Sequence, residues 1–196
     1  MSVRCIPAAG VAVQPWRNGG GRTRELFAWP SAEDWRLRIS LADIDADGPF
    51  SAFDDTQRWF AVIEGGGVAL VFDAEREHRL VVGDAPLCFE GAEAPGCRLL
   101  DGPTRDLNLM LRKGQGTMRP VDATVHWQED FAMRGLFARL GGRWTGANAS
   151  AHVAPRTLLW DDAAEHFPSP WRFEPDAADA SPAGWWLGYT PEQALR

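Results

Sequence analysis

The residues best suited to chemistry cluster around a run of three glycines. Between Pro15 and Leu26 the chain reads PWRNGGGRTREL. Asn18, Gly19, Gly20, Thr23 and Glu25 lie within this stretch, and Arg38, Ser40, Arg58 and Asn108 follow at a distance. Together these side chains suit recognition of a small polar anion. A guanidinium presents a planar fork that donates two parallel hydrogen bonds to a carboxylate, which makes Arg38 and Arg58 the principal candidates. Asn18 and Asn108 both donate and accept, as a formyl or amide group requires. Thr23 and Ser40 add hydroxyls. Glu25 is placed to orient an arginine or to accept a ligand N–H. For each residue taken singly, a structural hydrogen bond is an equal reading. The glycines themselves have two readings. Either they form a tight turn, or they let backbone approach a strand or ligand where a Cβ would clash, with amides donating to an anion as in a nest.

Other chemistries fit less well. A nucleotide-binding P-loop needs G-x-x-x-x-G-K-[ST] ahead of a helix, and NGGGRTREL has neither that spacing nor the lysine. The dinucleotide fingerprint is also absent. The four histidines, His78, His126, His152 and His166, form no H-x-H pair, so no clustered metal ligands are expected. Ser40 and Ser51 have no histidine close in sequence. Cys88 sits in an apolar run and reads as packing. No cofactor is expected.

These side chains need strands to hold them. Short apolar runs at 24–29, 35–44, 58–64, 68–72, 79–82, 86–89, 97–100 and 106–112 alternate with Gly, Pro and Asp turn signals. The run 58–64, Gly65-Gly66-Gly67 and 68–72 predict a hairpin. Weaker strand candidates follow at 123–127, 135–140, 156–160 and 184–189. Asp161 is a candidate cap for a short turn, and Thr190-Pro191 resembles a helix start. In LRISLA, Arg38 and Ser40 share one face, opposite Leu37, Ile39 and Leu41. In DLNLML, Asp106 and Asn108 share a face. On an open sheet such a face turns to water; in a closed barrel it would line a cavity.

The whole chain is all-β by this reading. Its 196 residues suit a single domain or two packed halves, 1–116 and 117–196, joined near KGQGTMRPVD at 113–122. A hydrophobic content of 45% and a charged content of 24% are those of an ordinary globular protein. The net charge of -7 disfavours a general nucleic-acid binder. Three unpaired-looking cysteines suggest a reducing compartment. The first sixteen residues lack the apolar core of a secretion signal, and no run approaches a membrane span, so a cytoplasmic location is expected. Ten tryptophans and ten phenylalanines against one tyrosine read mainly as core filler, Trp16 and Phe50 included.

In order along the chain, Trp16-Arg17-Asn18-Gly19-Gly20-Gly21 with Thr23 and Glu25, RISLA at 38–42, DGPFS at 47–51, Arg58, FEG at 89–91 and DLNLM at 106–110 resemble the HutD/Ves family. The resemblance runs from residue 7 to about residue 113. It implies a bicupin, two cupin-like β-barrel halves in one chain. It also implies a link with histidine catabolism, which family members tune, with N-formylglutamate as a plausible ligand. Two positions depart from the pattern. Arg17 stands where lysine is common, and Leu37 where tryptophan is frequent.

The leading reading is a metal-independent, non-enzymatic bicupin that senses a small carboxylate metabolite and tunes histidine utilisation or a stress response. A second reading is a metal-independent isomerase or hydrolase on a similar acid, with Glu25 as acid or base. A third is a protein-interaction module, with PAGWWLGY at 182–189 as an exposed strand edge for a partner or a second copy in a homodimer.

Overall fold

Strands account for most of the ordered backbone, as the alternating pattern and turn residues require. The computed structural model describes residues 3–162, 169–178 and 181–192. The chain divides into two compact units, Ala12–Lys113, and Gly114–Arg196 together with Met1–Val11. The N-terminal residues group with the C-terminal unit because the Arg4–Pro7 strand pairs with Thr157–Asp161. Among the described residues, no helix is long and apolar enough to cross a membrane.

The Ala12–Lys113 unit holds two antiparallel sheets. The larger has the strand order Gln14–Pro15, Gly21–Trp29, Leu37–Ile44, Thr104–Leu111, Gln57–Gly65, Leu87–Glu90. The smaller has the order Gly48–Pro49, Gly96–Leu99, Val68–Val71, Glu77–Leu80. Ile44, Phe60, Val62 and Phe89 from the larger sheet meet Val68, Leu70, Leu80 and Cys97 from the smaller in one core. Among the described residues neither sheet closes on itself, so the unit is an open pair of sheets and not a closed barrel.

The expected hairpin at Gly65-Gly66-Gly67 does not form. Gln57–Gly65 and Val68–Val71 lie in different sheets, and Val68–Val71 pairs instead with Glu77–Leu80. The glycines carry the chain from one sheet to the other. A Cβ at Gly66 would fall 1.9 Å from the Asp101 carbonyl oxygen, and Gly65 and Gly67 have φ of 95° and 92°. Thr104 secures the crossing: its hydroxyl accepts from the Gly67 N–H at 2.9 Å and donates to the Gly67 carbonyl at 3.1 Å.

The other unit has a five-stranded sheet in the order Arg4–Pro7, Thr157–Asp161, Met133–Ala138, Gly184–Pro191, Gly114–Pro120. A three-stranded sheet, Ser150–Val153, Gly142–Thr145, Arg172–Pro175, completes it. Its core is aromatic. Trp127 stacks on Trp186 with ring centres 5.2 Å apart, and Trp144 meets Trp171 edge-on at 5.1 Å. Several expectations need correction here. The 123–127 run makes only an isolated bridge, Trp127 to Trp171. The 113–122 stretch is largely strand, Gly114–Pro120. Thr190 and Pro191 end a strand and start no helix. Gly184–Pro191 is an interior strand with Trp185, Trp186 and Tyr189 buried, so it offers no exposed edge. The turn expected after Asp161 falls largely outside the described residues.

One ionic row ties the larger sheet of the Ala12–Lys113 unit together. Arg22, Asp43, Arg105 and Glu64 stand in register on four neighbouring strands. The buried Asp43 carboxylate accepts from Arg22 Nε at 2.9 Å, from Arg24 Nη1 at 2.9 Å and from Arg105 Nε, while Arg105 Nη1 reaches Glu64 at 2.9 Å. Burial raises the Asp43 pKa, but the bonds from Arg105 and Arg24, with Arg22, outweigh it and hold the carboxyl at about 2. Gly21 lies beside this row. A Cβ there would sit 2.4 Å from the Asp43 carbonyl oxygen and 3.0 Å from the Trp16 ring.

Two outcomes follow for stability, both readable by urea unfolding. Gly21→Ala forces the two strands apart and lowers stability by about 1–3 kcal/mol, whereas Gly10→Ala, with nothing within 4 Å of the added Cβ, stays within about 0.5 kcal/mol. Asp43→Asn lowers stability at pH 7 by about 1–3 kcal/mol. Because Asp43 titrates lower in the folded chain than its unfolded value of about 4, its contribution is present above that value and is lost as pH falls toward 2. The gap between wild type and variant therefore closes on acidification. A gap that stays constant from pH 7 to pH 3 would remove the ionic account.

Candidate functional site

The face of the larger sheet opposite Asp43 carries the predicted side chains in ordered rows. Strand register places Arg38, Met110 and Arg58 side by side on three adjacent strands. The next row is Glu25, Ser40, Asn108 and Phe60, and the next Thr23, Ala42, Asp106 and Val62. With strands spaced about 4.8 Å apart, Arg38 and Arg58 are about 10 Å from each other along the first row. This face borders a cavity of about 860 Å³ lined by Asn18, Thr23, Arg38, Ser40, Arg58 and Asn108 among the predicted residues. The polar alternation thus turns neither to water nor into a closed barrel. It faces a recess of the open sheet pair, while Leu37, Ile39 and Leu41 on the other face are also buried.

Arg58 lies deepest. It is 7% exposed, its Nε donates to Asn108 Oδ1 at 2.8 Å, and its guanidinium lies over the Phe50 ring at 4.4 Å from the centroid. Burial lowers its pKa to about 10, against the attraction of Asp106, so it stays a cation at neutral pH. Arg38 is held in the same manner from the other side, its Nε donating to Glu25 Oε2 at 2.8 Å. Among the described residues no protein acceptor is bonded to the terminal nitrogens of either arginine. Both guanidinium groups are oriented through Nε and keep their forks unused. Ser40 is buried at the cavity wall and makes no side-chain hydrogen bond among the described residues.

Three predicted residues do not line the cavity. Glu25 stands beside it as the carboxylate that orients Arg38. Gly19 and Gly20 build the rim turn. The Gly19 N–H bonds the Trp16 carbonyl at 3.1 Å, and the Gly20 N–H bonds Asn18 Oδ1 at 3.0 Å. These amides are already satisfied, so the loop is not a free anion nest. The glycines answer two separate needs: Gly19 supplies a φ of 72° and Gly21 the close approach to Asp43.

Trp16 and Phe50, expected as packing, also form the cavity wall. They meet edge-on at 6.5 Å, and Trp16 Nε1 donates to Thr23 Oγ1 at 2.7 Å, which fixes the indole. Sequence reasoning missed Gln14, Arg17, Ser51, Phe53 and Met110 as lining residues. Met110 was findable, since it shares the alternating face of Asp106 and Asn108. The others come from loops and an edge strand, where no periodicity marks the inward side.

The cavity lining contains three arginines and no carboxylate. A second recess, about 470 Å³, lies in the other unit beside Trp127 and Trp186. Unlike the first cavity, its lining includes two acids, Asp122 and Glu129, and Glu129 bonds its arginine, Arg119, at 2.9 Å. Among the described residues no three His, Cys, Asp or Glu side chains group as metal ligands, and His166 lies outside the described residues.

The chain is similar to several known proteins. An uncharacterized 21.2 kDa protein in the hutC 3' region of Pseudomonas putida is 38% identical over 98 residues, 49% of this chain and 51% of that protein, so the match spans about half of that relative's length. Protein Ves of Cronobacter sakazakii is 31% identical over 135 residues, 67% of this chain and 73% of that protein. Among solved structures, a conserved protein of unknown function from Pseudomonas aeruginosa PAO1 superposes with a TM-score of 0.80 at 27% identity, covering 97% of this chain and 99% of its own. HutD from Pseudomonas fluorescens SBW25 gives 0.83 at 24% identity, covering 96% and 98%. An oxalate decarboxylase variant from Bacillus subtilis gives 0.60 at 10% identity, covering 98% and 78%, a likeness of fold alone that makes the all-β architecture cupin-like. The HutD family model matches residues 8–165, and with the ordered motifs from Trp16 to Met110 inside that span the chain belongs to the HutD/Ves family.

Proposed function

We propose that this chain is a cytoplasmic, metal-independent bicupin that binds a small carboxylate metabolite without turning it over, and that it tunes histidine utilisation through that binding. The observation that carries the reading is the pair of arginines. Arg38 and Arg58 face one cavity, each anchored through Nε, each with its terminal fork unbonded among the described residues. Charge of one sign in a recess whose lining holds no carboxylate favours an anionic occupant. Asn18, Ser40 and Asn108 supply polar contacts for a formyl or amide group, and Trp16, Phe50 and Phe53 cover the carbon skeleton. The names of the Pseudomonas relatives, a hutC-region protein and HutD, support the link with histidine utilisation. N-formyl-L-glutamate, with two carboxylates and a formamide, matches this set of groups. Glu25 is engaged with Arg38 and stands outside the cavity lining, which favours binding over acid–base turnover.

Calorimetric titration of the purified protein with N-formyl-L-glutamate, urocanate, histidine and glutamate tests the reading. Saturable binding of one compound is expected, with no product after prolonged incubation. Arg38→Ala and Arg58→Lys each weaken that binding at least about tenfold, the loss expected for a charge-assisted hydrogen bond. Circular dichroism checks that each variant is folded. Unchanged affinity in both folded variants, or silence across the panel, would overturn it.

A further inference from the structure

Behind Arg58 lies a buried acid that the cavity lining does not include. Asp106 is 0% exposed, on the Thr104–Leu111 strand two residues before Asn108. Its Oδ1 accepts a hydrogen bond from Asn108 Nδ2, and Asn108 Oδ1 in turn accepts from Arg58 Nε. Its other oxygen, Oδ2, is buried with no hydrogen-bond partner. The order of these bonds follows from the chemistry of an amide. Asn108 has one donor end and one acceptor end, and a carboxyl Oδ1 holds the donor end. The acceptor end is then the one that meets the guanidinium. Reversing the amide would set its N–H groups against those of Arg58, donor against donor.

Resting on the carboxylate-binding reading above, we propose that Asp106 is the positioning residue of the cavity: through Asn108 it fixes the Arg58 guanidinium, and the proton on its unpartnered Oδ2 sets how much of the Arg58 charge is left for an anion. A buried oxygen without a donor is tolerated more readily as a hydroxyl than as a full anion. Burial accordingly pushes the Asp106 carboxyl up to about 7, while Arg58 and the Asn108 bond pull it down and Asp43 adds to the rise. The groups around it come from the two flanking strands and from the smaller sheet. Arg58 acts from Gln57–Gly65, Asp43 from Leu37–Ile44, and Cys97 from Gly96–Leu99. Cys97 is itself raised to about 12 by burial, and Arg58 lies at about 10. Arg38 acts on Arg58, and Asp47 on Cys97. Asp106 is thus the member of this group that changes charge near neutrality. As pH rises it gains a negative charge beside Arg58 and competes with a bound anion. Conversely, an anion arriving at Arg58 draws a proton onto Asp106.

Two measurements test this. In the ligand-free protein, the Arg58 Nε–H resonance and the Asp106 carboxyl carbon are followed by NMR from pH 5 to pH 9. Both are expected to report one shared titration step near neutral pH in the wild type, and Asp106→Asn abolishes the step at Arg58. An Arg58 resonance that does not respond to pH overturns the proposal, and this wild-type result decides the matter even where the variant does not fold. The second measurement is the affinity for N-formyl-L-glutamate, which has no group titrating between pH 6 and pH 8.5. Wild-type affinity is expected to fall at least about threefold across that range, with a flat profile in Asp106→Asn. Equal wild-type affinity at both ends overturns the proposal and leaves the binding reading standing. Silence of the probe at every pH, with the shared NMR step present, supports the positioning role and removes N-formyl-L-glutamate as ligand.

Discussion

A guanidinium buried between β-sheets constrains everything near it. Arg58 has left water and cannot discard its charge, so its surroundings must supply hydrogen bonds and a compensating field. Asn108 gives the bond, Phe50 gives a ring face, and Asp106 gives a charge held one residue away from direct contact. A carboxylate bonded directly to the fork would have closed the site as an internal ion pair. Interposing an amide leaves the fork open toward the cavity. Arg38 reaches the same condition by a different route, since Glu25 takes only its Nε.

The larger sheet of the Ala12–Lys113 unit separates two electrostatic jobs by strand alternation. On one face, Arg22, Asp43, Arg105 and Glu64 form an alternating row in which each charge has its opposite beside it. That row fastens four strands and leaves little net field. On the other face, Arg38 and Arg58 are in line with Met110 between them, and no acid lines the recess. The same residue type therefore serves as fastener on one side and as ligand-facing group on the other.

The two units fill the space between their sheets differently. In the unit from Ala12 to Lys113, one part of the interior is aliphatic and phenylalanine core, and another is the polar recess. In the other unit Trp127, Trp144, Trp171 and Trp186 pack ring to ring with Leu136 and Phe173. The tryptophan-rich composition is thus chiefly a core of large rings, while Trp16 walls the cavity. Its indole is placed by the bond to Thr23, which also lines the cavity.

Strand content and the pairing of polar side chains on shared faces were legible in the residues. Period-two alternation in LRISLA and DLNLML follows from the pleat itself, and it needs no partner to be read. The ordered family motifs gave the recess most of its polar lining. The direction those faces point was not legible, because water, a closed barrel and an open recess all demand the same alternation. Nor was the pairing of charges. Glu25 neighbours Arg24 in sequence, yet Arg24 bonds Asp43 and Glu25 bonds Arg38, since residues adjacent in a strand lie on opposite faces. The Gly65–Gly67 run looked like a hairpin because two strands flank it, and only the separate pairing of each strand made it a crossing between sheets. Local chemistry and backbone period determined which residues belong to one face. Long-range register decided which of them meet, because a hydrogen bond between Arg58 and Asn108 joins residues fifty positions apart.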